Sequence, residues 1–248
     1  SDALASFSAS LILIDNTESP ELDNYAKNLS EKYLVKIKVF HTNITDINEI
    51  KQAIAESVLY FGKIDILINL AAIDAKFDEN INDMPKTAFE DFPIDLWNKS
   101  VEVNMTGTFI ITQQVAKQML IQKSGNIINV ASTYSLVSPN QNLYNFNEED
   151  NQLFKPIDYV ATKSMIPNFT RYLATFYGKK GIRVNTIVPH GVLNNASNEF
   201  IENFAKLSPL GRMCNKDELR GPFIFLASDA SSYMTGSTLV VDGGWTAW

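Results

Sequence analysis

The chain has 248 residues, 45% of them hydrophobic, and a formal net charge of −7. That suits one α/β domain with a sizeable core, and the acidic balance argues against nucleic acid or an anionic membrane surface as a partner. One cysteine, Cys214, excludes an internal disulfide, and with only His41 and His190 beside it no Cys/His zinc cluster can be built, so no metal is expected.

In chain order, short Val/Ile/Leu runs predict strands at 11–14, 35–40, 65–70, 126–130, 182–188 and 238–241. Their near-continuous apolar character suits strands buried on both faces. Amphipathic stretches between them predict helices at 21–32, 46–61, 94–121, 157–178 and 215–228. The second of these starts after Thr45-Asp46, good N-cap material, and ends near Gly62. Such alternation implies a parallel sheet covered by helices on both faces, and no domain boundary interrupts residues 1–248. No apolar run approaches the ~20 residues of a membrane span. No basic segment followed by an apolar one opens the chain, so a cytoplasmic protein is expected. One segment, "SPNQNLYNFNEEDNQLFKP" from Ser138, is polar and aperiodic, and is expected to be a long functional loop.

The first strand, "LILID", ends in Asp15. An acid at the end of a buried strand is how many nucleotide-binding sheets hold a ribose. Those sheets carry a glycine-rich turn beforehand, yet the first glycine here is Gly62. Further along, "DYVATKS" places Tyr159 and Lys163 one helical turn apart on a shared face. A free tyrosine is a poor base at neutral pH; a neighbouring ammonium favours the phenolate and makes proton exchange with an alcohol or carbonyl feasible. Taken alone, such a pair is a common accident of a surface helix. Ser132 ends the strand "NIINVAS", and ligands sit beyond the carboxyl ends of parallel strands. Asn104 stands mid-helix among apolar residues, where Asn is a mediocre helix former. Asn69 opens "NLAA" after a strand, and small residues such as Ala71 let a flat ligand approach the backbone, although a plain turn explains them equally.

These features fall in order: Asn69-Leu70-Ala71-Ala72, Asn104, Ser132, Tyr159 with Lys163, then "IRVNTIVPHG" and "TGSTLVVDGGW". As a set they resemble the single-domain short-chain dehydrogenase/reductase family over essentially the whole chain from residue 5 onward. "KPIDYVATKSMIPNFTRYLATFYGKKGIRVN", "SPLGRM" and "VDGGWTAW" are more narrowly similar to oxidoreductases found with flagellin modification and legionaminic-type sugar biosynthesis. The resemblance implies a Rossmann-like, doubly wound parallel sheet in three layers. It implies Tyr159 as general acid/base, Lys163 as holder of the nicotinamide ribose and modulator of the tyrosine, Ser132 as partner of the substrate oxygen, and Asn104 as anchor of a water relay. Asp15, Asn43, Ile44, Asn69, Ala71, Lys163, Pro189 and Val192 are the implied cofactor contacts. NAD is expected over NADP, because no Lys or Arg stands beside Asp15 in "DNTES" and a carboxylate repels a 2′-phosphate. The helices at 94–121 and 157–178 are expected to build a homodimer or homotetramer.

Three departures stand out. The family's opening strand and glycine-rich turn have no match, since "SDALASFSAS" resembles only the end of the helix that follows them. Strands lie ~4.8 Å apart, so the sheet is expected to show a gap about two spacings wide between the strands at 11–14 and 65–70. An N-terminally incomplete chain is the expected reason, and a paralogue that lost dinucleotide binding is the alternative. Second, Ser132 and Tyr159 stand roughly twice as far apart as is usual in the family. The extra residues fall in the Asn-rich loop, and Asn140, Gln141, Asn142 and Tyr144 are expected to suit a hydroxylated, sugar-like substrate. Third, His190 replaces the glycine of a Pro-Gly pair and is expected to be solvent-exposed, a polar contribution near the nicotinamide being the alternative. The leading expectation is an NAD-dependent enzyme interconverting a secondary alcohol and a ketone of a sugar-derived metabolite. A non-catalytic assembly or regulatory subunit and a 3-oxoacyl-type ketoreductase are the alternatives.

Overall fold

The computed structural model describes residues 1–74, 87–144, 154–194 and 196–248. Its strands are all parallel, but they form two sheets. β1 (Leu11–Asp15) pairs with β2 (Ile37–His41). β3 (Ile66–Asn69), β4 (Gly125–Val130), β5 (Ile182–Pro189) and β6 (Thr238–Val241) form the second sheet in that order. β1 and β3 are not hydrogen-bonded to one another, so the gap expected from the sequence lies where it was placed.

Helices cover both faces, giving the three layers of a Rossmann-like α/β fold. Alternation along each strand assigns the faces. Ile127 of β4 packs with Ile50 of α3 (Ile47–Phe61), Val115 and Met119 of α5 (Thr108–Gln122) and Leu173 of α6 (Ile157–Tyr177). Its neighbour Ile128 turns to the other face, against Leu226 of α8 (Arg220–Ala227). On that second face α1 (Asp2–Ala5) and α2 (Pro20–Tyr33) pack Ala5 and Leu29 against Leu11. The two sheets are therefore held together by side chains. Ile12 and Ile14 of β1 join the cluster that contains Ile44, Ile50 and Leu67. Across the other face, Asp2 accepts hydrogen bonds from Tyr33 (3.0 Å) and Lys32 (3.3 Å) of α2 and from Arg220 of α8.

Local chemistry explains most element ends. The Asp46 carboxylate caps α3, accepting from the amides of Asn48 (2.8 Å) and Glu49 (3.1 Å), and Gly62 ends it at φ 81°. The stretch predicted as one helix over 94–121 is composite: α4 (Ile94–Ser100), a π-helical turn (Val101–Gly107), then α5. Gly107 lets this turn approach the side chain of Ile44, which a Cβ there would meet at 2.7 Å. The helix predicted at 215–228 opens with a 3-10 turn (Lys216–Leu219) closed by a capping box between Asn215 and Glu218. α7 (Asn198–Leu207), capped by Ser197, was not predicted; its main anchor is the buried Phe204.

Candidate active site

The site forms where the carboxyl ends of β3, β4 and β5 meet α6. Lys163 reaches from α6 to the end of β4, its Nζ donating to the Val130 carbonyl at 2.9 Å. Ser132 follows that strand and caps a 3-10 turn (Thr133–Ser135), its Oγ accepting from the Tyr134 amide at 3.3 Å. Its side chain also lies near enough to the Tyr159 phenol to favour the ionised form. Ser132, Tyr159 and Lys163 thus lie together at the end of β4 despite the long sequence between the first two.

Burial is the dominant electrostatic effect there. It pushes the Tyr159 phenol well above its ordinary value; the Asp74 charge adds to the rise, and the nearby Ser132 side chain opposes it. Burial also lowers Lys163 to about 8, against the pull of Asp74. The Lys163 ammonium lies 5.8 Å from the Tyr159 ring centroid and is turned toward Val130. The depressed tyrosine expected from the Tyr-Lys spacing is therefore not found in this structure, because desolvation outweighs the neighbouring cation.

Asn104 sits in the π-helical turn, a geometry often found at functional positions. Its Oδ1 accepts from the Ile73 amide at 2.7 Å, and its Nδ2 donates to the Ile73 carbonyl at 3.0 Å and to Thr162 Oγ1 at 3.0 Å. It joins the chain leaving β3 to the residue just before Lys163. Asn69 points elsewhere. Its amide donates to Asn129 Oδ1 (2.7 Å) and Thr112 Oγ1 (2.8 Å), and the chain of bonds continues from Asn129 to Thr170 and Thr186. This polar ladder ties β3, β4, β5 and α6 together, so the Asn69 side chain serves the sheet.

Two residues that sequence reasoning passed over complete the centre. Asp74, on the segment held by Asn104, accepts from Lys155 Nζ with both oxygens, at 2.6 and 2.7 Å. The ammonium of Lys155 lies 4.2 Å from the Tyr159 ring centroid. The only signal was spacing: Lys155 stands four residues before Tyr159, as Lys163 stands four after it, but Lys155 precedes the Pro156 N-cap and lies off the helix. Although 40% of the Asp74 side chain is exposed, desolvation by surrounding protein raises its pKa, and Lys155 pulls it back.

His190 corrects an expectation. It is 8% exposed, not solvent-facing. Its ring is enclosed by Tyr134, Phe204 and Trp245, and its Nδ1 bonds Thr133 Oγ1. Among the described residues Nε2 is buried without a hydrogen-bond partner, and burial lowers the imidazole to about 4, so it is neutral. Next to it, Gly191 at φ 54° allows the Phe204 ring to lie against the backbone, where a Cβ would sit 2.1 Å away. Val192 follows, bridging to Cys214, and Pro189 ends β5. In the Asn-rich segment, Tyr144 is buried and its hydroxyl meets that of Tyr134 at 2.6 Å. Gln141 accepts from the Lys155 amide at 2.9 Å, Asn140 caps the Asn142 amide at 3.1 Å, and Asn142 is exposed. Residues 145–153 of that segment lie outside the described residues.

The residues fit the two ends of a nicotinamide dinucleotide. Asp15 ends β1 exposed, its Oδ1 accepting from the Thr17 amide at 2.9 Å. Ala71 and Ala72 are exposed beyond β3 and leave flat backbone for a ligand. Asn43 accepts from the Thr45 amide (3.0 Å), while the Ile44 side chain is buried in the core. His41, opposite Asp15 in register, binds the Thr17 carbonyl through Nδ1 at 2.8 Å and Asp23 through Nε2 at 3.2 Å, which shapes the turn after Asp15. The given sequence holds no glycine-rich turn to receive a pyrophosphate. Among the described residues no group of three or more His, Cys, Asp or Glu could hold a metal, and no helix is long and apolar enough to cross a membrane.

Comparison with known proteins agrees with this geometry. Residues 1–145 match the family model described as short chain dehydrogenase, and residues 152–246 match one described as Enoyl-(Acyl carrier protein) reductase. An NAD-dependent glycerol dehydrogenase of Listeria innocua is 29% identical over 96% of this chain and 84% of its own. A 2-dehydro-3-deoxy-D-gluconate 5-dehydrogenase of Pseudoalteromonas atlantica is 31% identical over 96% of this chain and 84% of its own. Among solved structures, a gluconate 5-dehydrogenase from Burkholderia cenocepacia in complex with NADP and tartrate superimposes with a TM-score of 0.82 at 28% identity, covering 99% of this chain and 89% of that one.

Proposed function

Because the chain belongs to the short-chain dehydrogenase/reductase family, we propose that it is a nicotinamide-dependent oxidoreductase that interconverts a secondary alcohol and a ketone of a sugar-derived or polyol metabolite. The observation that carries this reading is the convergence of Ser132, Tyr159 and Lys163 across a long loop insertion. The nicotinamide, when bound, takes up or supplies the hydride. The protein's own part is to hold the substrate oxygen and move its proton. Ser132 donates a hydrogen bond to that oxygen. Tyr159 takes the proton during oxidation and returns it during reduction. Lys163 holds the nicotinamide ribose with the end of β4 behind it, and Asn104 fixes the β3 exit against α6. Asp15 and Ala71 contact the cofactor, with Asn43, Ile44, Asn69, Pro189 and Val192 contributing backbone or packing around it.

NAD is the proposed partner, on the Asp15 carboxylate and the absence of Lys or Arg in residues 16–19. The relatives use either nucleotide: the Listeria enzyme is NAD-dependent and the Burkholderia structure holds NADP. A hydroxylated substrate is proposed from the polar composition of Asn140, Gln141, Asn142 and Tyr144, of which the Tyr144 hydroxyl and the Asn140 and Gln141 side-chain carbonyl oxygens bond within the protein. The narrower similarity to flagellin-modification oxidoreductases rests on sequence segments alone. A cytoplasmic homodimer or homotetramer is proposed, supported by the single cysteine and by exposed Phe109 on α5 and Tyr172 and Phe176 on α6. A screen of polyols, ketoses and simple ketones with each nicotinamide, on the full-length protein, tests the reading. Turnover with NAD that is lost in Tyr159→Phe is expected; turnover that survives that change overturns the mechanism.

A further inference from the structure

We propose that Asp74 and Lys155 are the substrate-reading pair of this site, and that they select neutral polyhydroxylated substrates over carboxylated ones of the same length; this rests on the oxidoreductase reading above. The relatives divide on this point by their names, glycerol on one side and gluconate derivatives on the other.

The pair is built into the centre. Exposed ion pairs are common and contribute little, but the Lys155 side chain is 7% exposed and its ammonium faces the Tyr159 ring. Both partners are held from behind. Asn104 clasps Ile73, the residue before Asp74, by its amide and its carbonyl. Gln141 accepts from the Lys155 amide, and Thr87 Oγ1 accepts from the Phe154 amide at 2.9 Å.

The two charges are not equally available. Lys155 is covered, and both Asp74 oxygens compensate its charge. Asp74 is the open member, with 40% of its side chain exposed. A ligand reaching Tyr159 from that side meets a carboxylate, which accepts hydrogen bonds and donates none. Substrate hydroxyls supply the matching donors. A substrate carboxylate brings a second negative charge to the same place and leaves Lys155 no charge to spare for it.

The test compares a polyol with the aldonate of equal carbon number, xylitol against xylonate, on the full-length protein with NAD at one fixed pH. The readout is the ratio of the two kcat/KM values. Any change in Tyr159 acidity affects both substrates alike and cancels in that ratio. Wild type is expected to favour xylitol by about tenfold or more. Asp74→Asn keeps an acceptor for Lys155 and removes the charge, and should bring the ratio toward one. Lys155→Gln removes the larger of the two cationic charges acting on Asp74, leaving Lys163, and should raise the ratio, so it carries the test if the first variant fails to fold. Saturation-transfer NMR of the same two ligands reads the preference without turnover. A binding preference for xylitol without turnover supports the pair, and the oxidoreductase reading then fails only if the wider screen of polyols, ketoses and ketones also shows no turnover. A wild-type preference for xylonate, or a ratio unmoved by Asp74→Asn, overturns the proposal.

Discussion

Asn104 holds Ile73 by both of its backbone polar groups, accepting from the amide at 2.7 Å and donating to the carbonyl at 3.0 Å. A side-chain amide paired with one residue's amide and carbonyl acts as a short piece of sheet, and it extends the order of β3 into the segment that carries Asp74. The third bond, to Thr162 Oγ1, ties that segment to α6 beside Lys163.

Asn104→Ala should therefore cost both stability and activity. It leaves the Ile73 amide and carbonyl without this partner, at about 1–3 kcal/mol for each group left unsatisfied, while the Thr162 hydroxyl keeps its bond to the Tyr159 carbonyl. Urea unfolding measures the first effect and kcat/KM the second. Asn104→Asp keeps the acceptor for the Ile73 amide but sets a buried carboxylate oxygen against the Ile73 carbonyl, and should lose at least as much as the alanine variant. An alanine variant with wild-type midpoint and turnover would show that the clasp is dispensable.

The rate of alcohol oxidation should depend on pH through Tyr159, which acts as a base only when ionised. Burial first, then Asp74, hold its pKa above the ordinary tyrosine value. Asp74→Asn removes a negative charge and leaves the Lys155 cation beside the ring, and both changes favour the phenolate. The rising limb of the oxidation profile should move to lower pH. A limb that moves upward, or stays in place, contradicts the coupling.

Lys163 should limit stability at neutral pH. The unfolded chain keeps this proton up to about 10.5, the folded chain only to about 8. Between those values the unfolded state binds more protons, so this residue's contribution to stability rises with pH across that window. At pH 7 the buried charge is a net cost on the order of a few kcal/mol. Lys163→Met should raise Tm at pH 7 while removing turnover, and the advantage should shrink as pH approaches 10.5. Thermal melts at pH 7 and pH 10 decide it.

His190 should make the fold acid-sensitive. Burial lowers its pKa from 6.5 to about 4, so the unfolded state gains the proton first as pH falls. Its stabilising contribution is complete above pH 6.5 and is lost progressively down to about pH 4, roughly 3 kcal/mol at most. His190→Leu should flatten the urea midpoint over that window. Equal slopes in the two proteins would place the acid sensitivity elsewhere.

Much of this protein is determined by local sequence. Apolar runs fixed six strands to within a residue or two, because a strand buried on both faces admits little but Val, Ile and Leu. Asp46 and Gly62 marked the ends of α3 through cap chemistry. The spacing of Tyr159 and Lys163 put them on one helix face, and the lack of an early glycine-rich turn foretold the break between β1 and β3. Tertiary structure decided the rest. Burial, not spacing, set the protonation of Tyr159, Lys163 and His190, since desolvation depends on everything packed around a group. Asn104 could be read as unusual, but its partner Ile73 lies on another element. Asp74 and Lys155 meet only because the exit of β3 and the approach to α6 cross over the Tyr159 ring, and no local pattern encodes a contact between segments so far apart in the chain.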